Sequence, residues 1–272
     1  MRLHETPGRA AQVEGGEIRE LHRHGIIAPV TDAELLATVA VLAGGACHSA
    51  TGFGFVLVAG PLVAAAFPPE EAITSLLCLG MLTSSLTLLT EARWPDPLWR
   101  ESGEILAWGS VGAVAGTFLL AVLDATALQL LVTATVLATL FIRRHLGHLA
   151  DPFHRIPVVG LTAGALTTTT SANGPPILLY LLGRRVEATR MRDTLSVLFI
   201  SFAAIGLLAL ALGAADIALP EGAVLAAMPV AAAVGHLTGR PLFAHLAEGR
   251  YEQVVTALLL VSVVAGAAVA LT

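Results

Sequence analysis

"TGFGFVLVAGP", residues Thr51 to Pro61, interrupts an apolar stretch that begins near Ala33. Three glycines and a proline in eleven residues weaken a helix. Glycine loses too much conformational freedom there, and proline lacks an N–H donor. A second stretch, "SANGPPILLYL" from Ser171 to Leu181, breaks another apolar run in a similar way. What these breaks mean depends on the medium around the helices.

That medium is a lipid bilayer. The chain has 272 residues, of which 56% are hydrophobic and only 13% charged. A soluble domain is about a quarter charged. The charges are clustered, leaving apolar stretches of roughly 16 to 22 residues between them. Such lengths suit helices crossing a hydrocarbon layer about 30 Å thick. Strand-like alternation is missing, which argues against an outer-membrane barrel. The expectation is an all-α polytopic protein, multi-pass in the cell inner membrane. All fifteen basic residues are arginine and none form a basic run, so nothing points to nucleic acid. Cys47 and Cys78 lie in apolar segments and read as small buried hydrophobes. His145, His148 and His154 surround a loop without the spacing of a helical metal pair, so no metal or cofactor is expected.

Ten apolar segments follow a mixed-charge tail at 1–32. The tail has no early apolar core and does not read as a signal peptide. Five segments fall near 33–49, 52–67, 72–90, 103–122 and 126–142, and five near 156–171, 174–183, 193–213, 220–239 and 251–272. The two sets resemble each other. At an offset of 123, the 26 residues from Gly112 and those from Gly235 share nine identities, including Gly112 with Gly235 and Gly116 with Gly239. Chance would give roughly two, so duplication is favoured. Both glycine pairs read as helix-packing positions. At an offset of 120, Thr51 meets Ser171 and Gly54 meets Gly174, which makes the two breaks counterparts.

Arginine sets the orientation, because cytoplasmic loops collect positive charge. The loop "PPEE" (68–71) has no arginine, whereas its counterpart "RRVEATRMR" (184–192) has four. Arg93 and Arg100 lie in a loop whose counterpart, "GAADIALPEG" (213–222), has none. The linker at 143–155 is also arginine-bearing. The chain therefore reads as two inverted repeats, 33–142 and 156–272, with the linker cytoplasmic and each repeat holding a broken or re-entrant helix pair. Trp94, Trp99 and Trp108 read as interfacial anchors.

Broken helices at membrane depth are tolerated where they line a cavity or are buried in protein. Paired breaks in inverted repeats place half-helix N-termini, with their free N–H groups, near the midplane, where they suit an anion. The candidate substrate contacts are Thr51, Gly52, Phe53, Gly54 and Phe55 at the first break. At the second they are Ser171, Ala172, Asn173, Gly174 and Pro175. His48 and His236 are candidates for proton coupling, since imidazole titrates near neutral pH. Arg190, Arg192 and Asp193 read as interface residues flanking a helix. No enzyme is expected: Gly-x-Ser-x-Gly, a Walker lysine, His-Glu-x-x-His and paired catalytic aspartates are all missing.

"LAGGACHSATGFGFVLVAGPLVAAAFPPEEAI" and "GLTAGALTTTTSANGPPILLYL" resemble the openings of the two halves of the sulfite exporter TauE/SafE family. "GAVAGTFLLAVLDATALQLLVTATVLATLF" resembles the helix pair that closes each half. The resemblance covers about 33–272. It implies a secondary transporter of a small sulfur-containing anion such as sulfite, thiosulfate or an organosulfonate. Phe53 and Phe55 stand where many members have glycines, which leaves the substrate open. A non-transporting scaffold or assembly protein, or a carrier for a different small organic anion, are the other readings. The oligomeric state is open, a homodimer among the choices.

Overall fold

The computed structural model describes residues 30–134 and 155–244, except 92, 125, 129, 132, 133 and 213–216, together with 264. The tail, the linker up to 154, the three loop histidines and most of segments 126–142 and 251–272 lie outside the described residues. Eight helices run through the rest: α1 Asp32–Thr51, α2 Phe55–Ala66, α3 Pro69–Thr90, α4 Trp99–Val122, α5 Ile156–Thr170, α6 Gly174–Gly183, α7 Ala188–Leu212 and α8 Ala223–Ala244. No strand occurs among the described residues. Five helices (α1, α3, α4, α7 and α8) are long and apolar enough to cross a membrane, while α2, α5 and α6 are shorter.

Local chemistry explains several helix ends. At the start of α1, the Thr31 hydroxyl accepts from the Glu34 N–H at 3.2 Å and the Glu34 carboxylate accepts from the Thr31 N–H at 2.7 Å, a capping box. Proline opens α3, α5 and α6, at positions where its missing N–H costs nothing.

Glycine decides which helices meet. Gly112 rests on Leu161, Gly116 on Ala165 and Gly164 on Gly109, each so closely that a Cβ would overlap backbone. These contacts zip α4 to α5. Likewise Gly45 rests on Ala232, Gly235 on Leu42 and Gly239 on Ala46, zipping α1 to α8. The packing role expected for both Gly-x-x-x-Gly pairs is observed. Residue numbers rise together across each seam, so both helix pairs are parallel. The outward faces carry exposed Val111, Val114 and Phe118 on α4 and Leu35, Val39 and Leu42 on α1. Such faces suit lipid rather than water.

Arginines from separate loops gather at one end. Arg93 grips the Asp193 carboxylate through both prongs, at 2.7 and 2.8 Å, and that carboxylate also accepts the Asp96 N–H at 2.8 Å. The hydrogen bond to Asp193 is the main reason Arg93 is held above the ordinary arginine pKa. Glu91 joins Arg93 at 2.6 Å to Arg192 at 3.4 Å. Arg190 reaches Asp96, Arg184 reaches Glu101, and Arg240 donates to the Thr90 carbonyl. Asp193 is only 2% exposed, so it clamps the 91–98 loop onto α7 instead of flanking the interface. Helices α1, α3 and α8 end at this arginine-bearing side, whereas α4, α5 and α7 begin there.

The α4–α5 seam gives a direct stability test. Gly164→Val overpacks it and is expected to lower the melting temperature in detergent by roughly 3–10 °C. Gly103→Ala, where an added Cβ meets nothing within 4 Å, is expected to leave it unchanged or slightly raised.

Candidate functional site

Two helix ends are turned by the same device. At the first break, α1 stops at Thr51, and Gly52 caps it in the left-handed region at φ 75. The Gly52 N–H donates to the His48 carbonyl at 2.7 Å. The Thr51 hydroxyl accepts the Phe53 N–H at 3.1 Å and donates to the Cys47 carbonyl at 2.9 Å, with the Phe53 carbonyl also in reach. Gly54, at φ 94, then leads into α2. Glycine is required at both left-handed positions for want of a Cβ clash.

At the second break, α5 stops at Thr170 and Ser171 takes the left-handed cap at φ 56. The Thr170 hydroxyl accepts the Ala172 N–H at 3.3 Å and donates to the Leu166 carbonyl at 3.1 Å. The Ser171 hydroxyl donates to the Ile73 carbonyl at 3.2 Å, a partner that helps a non-glycine residue hold that conformation. Both threonine hydrogen bonds and the left-handed cap recur 119 residues on, not 120. Gly52 therefore matches Ser171, Gly54 matches Asn173 and Phe55 matches Gly174. The glycine identity at the offset of 120 was one residue out of register with the geometry.

A half-open cavity of about 40 Å³ lies between the breaks. One water needs roughly a third of that space. The first turns of α2 and α6 line it, with the middles of α3 and α7 completing the wall. Of the residues expected at the site, His48, Phe53, Gly54, Phe55, Ala172, Asn173, Gly174 and Pro175 line this cavity. Thr51, Gly52, Ser171 and His236 do not. The hydroxyls of Thr51 and Ser171 donate to backbone carbonyls, so they shape the turns rather than offer protons to a ligand.

The two helix N-termini are unequal. The first bond across the start of α2 is Val58 N–H to the Gly54 carbonyl at 3.1 Å. The amides of Phe55, Val56 and Leu57 have no carbonyl in their own helix to reach. In α6 the matching positions are Gly174, Pro175 and Pro176, and the two prolines carry no N–H, leaving Gly174 alone. Asn173 compensates in part: it is 7% exposed, faces the cavity and donates from its amide to the Thr167 hydroxyl at 3.0 Å.

Sequence reasoning missed Ser84, Phe199 and Arg192. Ser84 lies 3.4 Å from His48 Nε2, and the Phe199 ring is tilted toward His48 with the centroids 6.1 Å apart. Arg192 leaves the interface set by turning inward. Its Nη2 donates to the Ser49 carbonyl at 2.7 Å, and its stem lies where a Cβ on Gly52 would sit, 2.6 Å away. The offset of 119 was the available signal, because it lays Arg192 over Ile73, an arginine over an apolar position.

The two sides of the cavity differ in how polar atoms are satisfied. His48 corresponds to Thr167, Ser49 to Thr168 and Ser84 to Ala203, while on the α4–α8 offset His236 corresponds to Ala113. Thr167 donates to Ala163 at 2.8 Å and Thr168 to the Ala113 carbonyl at 2.9 Å. On the other side, His48 Nδ1, Ser49 Oγ, His236 Nδ1 and Arg192 Nε are buried without a partner. The rings of His48 and His236 lie 6.4 Å apart.

No curated protein and no solved structure matches the chain. A family model, described as Sulfite exporter TauE/SafE, matches residues 36–266 and so spans both breaks and the cavity between them. The multi-pass helices, the paired breaks and this match agree: the chain belongs to the sulfite exporter TauE/SafE family of membrane transporters.

Proposed function

We propose that this chain is a secondary transporter that carries a small sulfur oxyanion across the cell inner membrane by alternating access. One observation carries the reading: two helices that follow breaks turn their N-termini onto one cavity. Partial positive charge and unpaired amides at such ends attract an anion. The anion sits between the amides of Phe55 to Leu57 and those around Gly174, with Asn173 orienting it. Thr51, Gly52 and Ser171 hold the turns. Phe53, Phe55, Ala172 and Pro175 set the size. A cavity of about 40 Å³ favours sulfite or thiosulfate over an aryl sulfonate in this conformation.

The two halves, 33–142 and 156–272, are inverted repeats joined by a cytoplasmic linker at 143–155. The opposed directions of α1 and α5, α3 and α7, and α4 and α8 at the arginine-bearing end support this, as does the shared turn chemistry 119 residues apart. That end is then the cytoplasmic one. Transport proceeds by rocking of one helix set against the other around the cavity. His48, which lines the cavity with an unpartnered ring nitrogen, couples the cycle to protons through His236. A homodimer is compatible with this mechanism.

Three outcomes test the reading. Thiosulfate, at about a hundred times its dissociation constant, is expected to add about 2.7 kcal/mol of apparent stability to the purified protein. Asn173→Leu should remove that gain. No stabilisation by sulfite, thiosulfate or any organosulfonate would instead favour a scaffold or a carrier of another anion. In a chain lacking Cys47 and Cys78, His145→Cys and Ala215→Cys are expected to label from opposite sides of the membrane, and labelling from one side would end the inverted arrangement. His48→Gln should flatten the pH dependence of uptake into liposomes, and an unchanged profile would remove His48 from coupling.

A further inference from the structure

We propose that His48, Ser49, His236 and Arg192 form a second anion station, adjoining the central cavity on its arginine-bearing side. The ligand is a small oxyanion, and the proposal rests on the transport reading above. The first argument is chemical. These four residues come from three helices, and each leaves a buried polar atom without a partner. Buried polar groups are almost always paired, so four orphans in one place mark a position that something else fills.

The donor set selects the kind of occupant. Serine, two imidazoles and a guanidinium all offer N–H or O–H groups. The carboxylate beside Arg192 is Glu91, and it is already engaged by Arg93 at 2.6 Å. The imidazole centroids lie 6.4 Å apart, so one small oxyanion placed beside the two rings can reach both. It keeps other oxygens for Ser49 and Arg192.

Charge gives the second argument. The residues lining the central cavity include no arginine and no carboxylate. An anion buried there has only helix ends and neutral donors, and an unpaired buried charge is costly. Arg192 stands directly behind the first break, its stem over Gly52 and its Nη2 on the Ser49 carbonyl. It lies between the cavity and the clamp formed by Arg93 and Asp193. An anion leaving the cavity toward that end meets a fixed cation on its way.

The third argument is the comparison across the cavity. The corresponding place on the other side is closed, because Thr168 bonds the Ala113 carbonyl and an isoleucine, Ile73, replaces the arginine. Thr74 Oγ1 and Ser75 Oγ beside Ile73 are also buried without a partner, but of the two matched places only the one at Arg192 carries a cation.

Thiosulfate binding to the full chain in detergent, measured by isothermal titration calorimetry, tests the station. Arg192→Gln is expected to weaken binding about tenfold or more and to reduce its dependence on salt, whereas Arg192→Lys stays within about threefold. If Arg192→Gln does not fold, the double variant Ser49→Ala/His236→Gln, which keeps the arginine, is expected to weaken binding about tenfold. Unchanged affinity in Arg192→Gln, or in the double variant, would show the pocket holding water alone and overturn the station. An equal loss in Arg192→Lys with a lowered melting temperature would make Arg192 a strut for the Ser49 carbonyl and overturn it too. Binding that survives Arg192→Gln but fails in Asn173→Leu removes the station and leaves the central site. A wild-type chain that binds no sulfur anion removes both.

Discussion

A helix that stops inside a bilayer strands backbone N–H and C=O groups where no water can reach them, and each must find a partner within the protein. This chain meets that constraint twice with one threonine hydroxyl each time. Thr51 and Thr170 are the last helical residues, and each accepts the N–H two residues on while donating back to the carbonyl four residues before. The turn is thereby closed on its own backbone. What remains open is the first turn of the next helix, and in both cases that turn faces the cavity. The site is a by-product of how the break is made stable.

The glycine seams follow from the same constraint. A helix that ends at a break needs a long helix beside it. Parallel packing of α4 on α5 and of α1 on α8 supplies that support, and close approach requires glycine on both sides of each seam. Apolar packing gives little drive between helices in lipid, so contact distance has to supply the energy. The breaks are therefore held by rigid neighbours, while the cavity is walled by the middles of α3 and α7, whose ends are tied by the ion network at 91–98.

Much of this was legible in the residues. The helical class follows from charge density, the spans from segment length, and the breaks from glycine and proline. The Gly112/Gly116 and Gly235/Gly239 pairs announced their packing role. The register was misjudged by one because identity rewards glycine wherever it occurs. The geometry aligns φ and hydrogen bonds instead, pairing Gly52 with Ser171, a left-handed serine that composition does not reveal. Thr51 and Ser171 count as substrate contacts in the sequence because a hydroxyl near a glycine turn looks free in one dimension. Arg192 was lost among neighbouring charges. About half a turn of helix separates an exposed Arg190 bonded to Asp96 from an Arg192 tucked under Ser49, and sequence distance does not record which way each one faces.

The placement of charge beside the cavity, not within it, suits a carrier. A guanidinium in direct contact with a bound oxyanion in a dry site gains strongly and releases slowly, since both would have to be resolvated before they part. A neutral cavity of amides and one carboxamide binds more weakly and distinguishes by shape and donor number. A cation outside the lining lowers the energy of an anion held in the cavity without touching it there. The asymmetry between the two sides then has a physical sense. A site entered equally easily from both sides needs no such difference, whereas here Thr168 is closed on Ala113 at one side and Ser49 and His236 are left unsatisfied at the other. In a fold whose two breaks are built alike, direction has to come from side chains that break the likeness, and those are the residues that differ at the offset of 119.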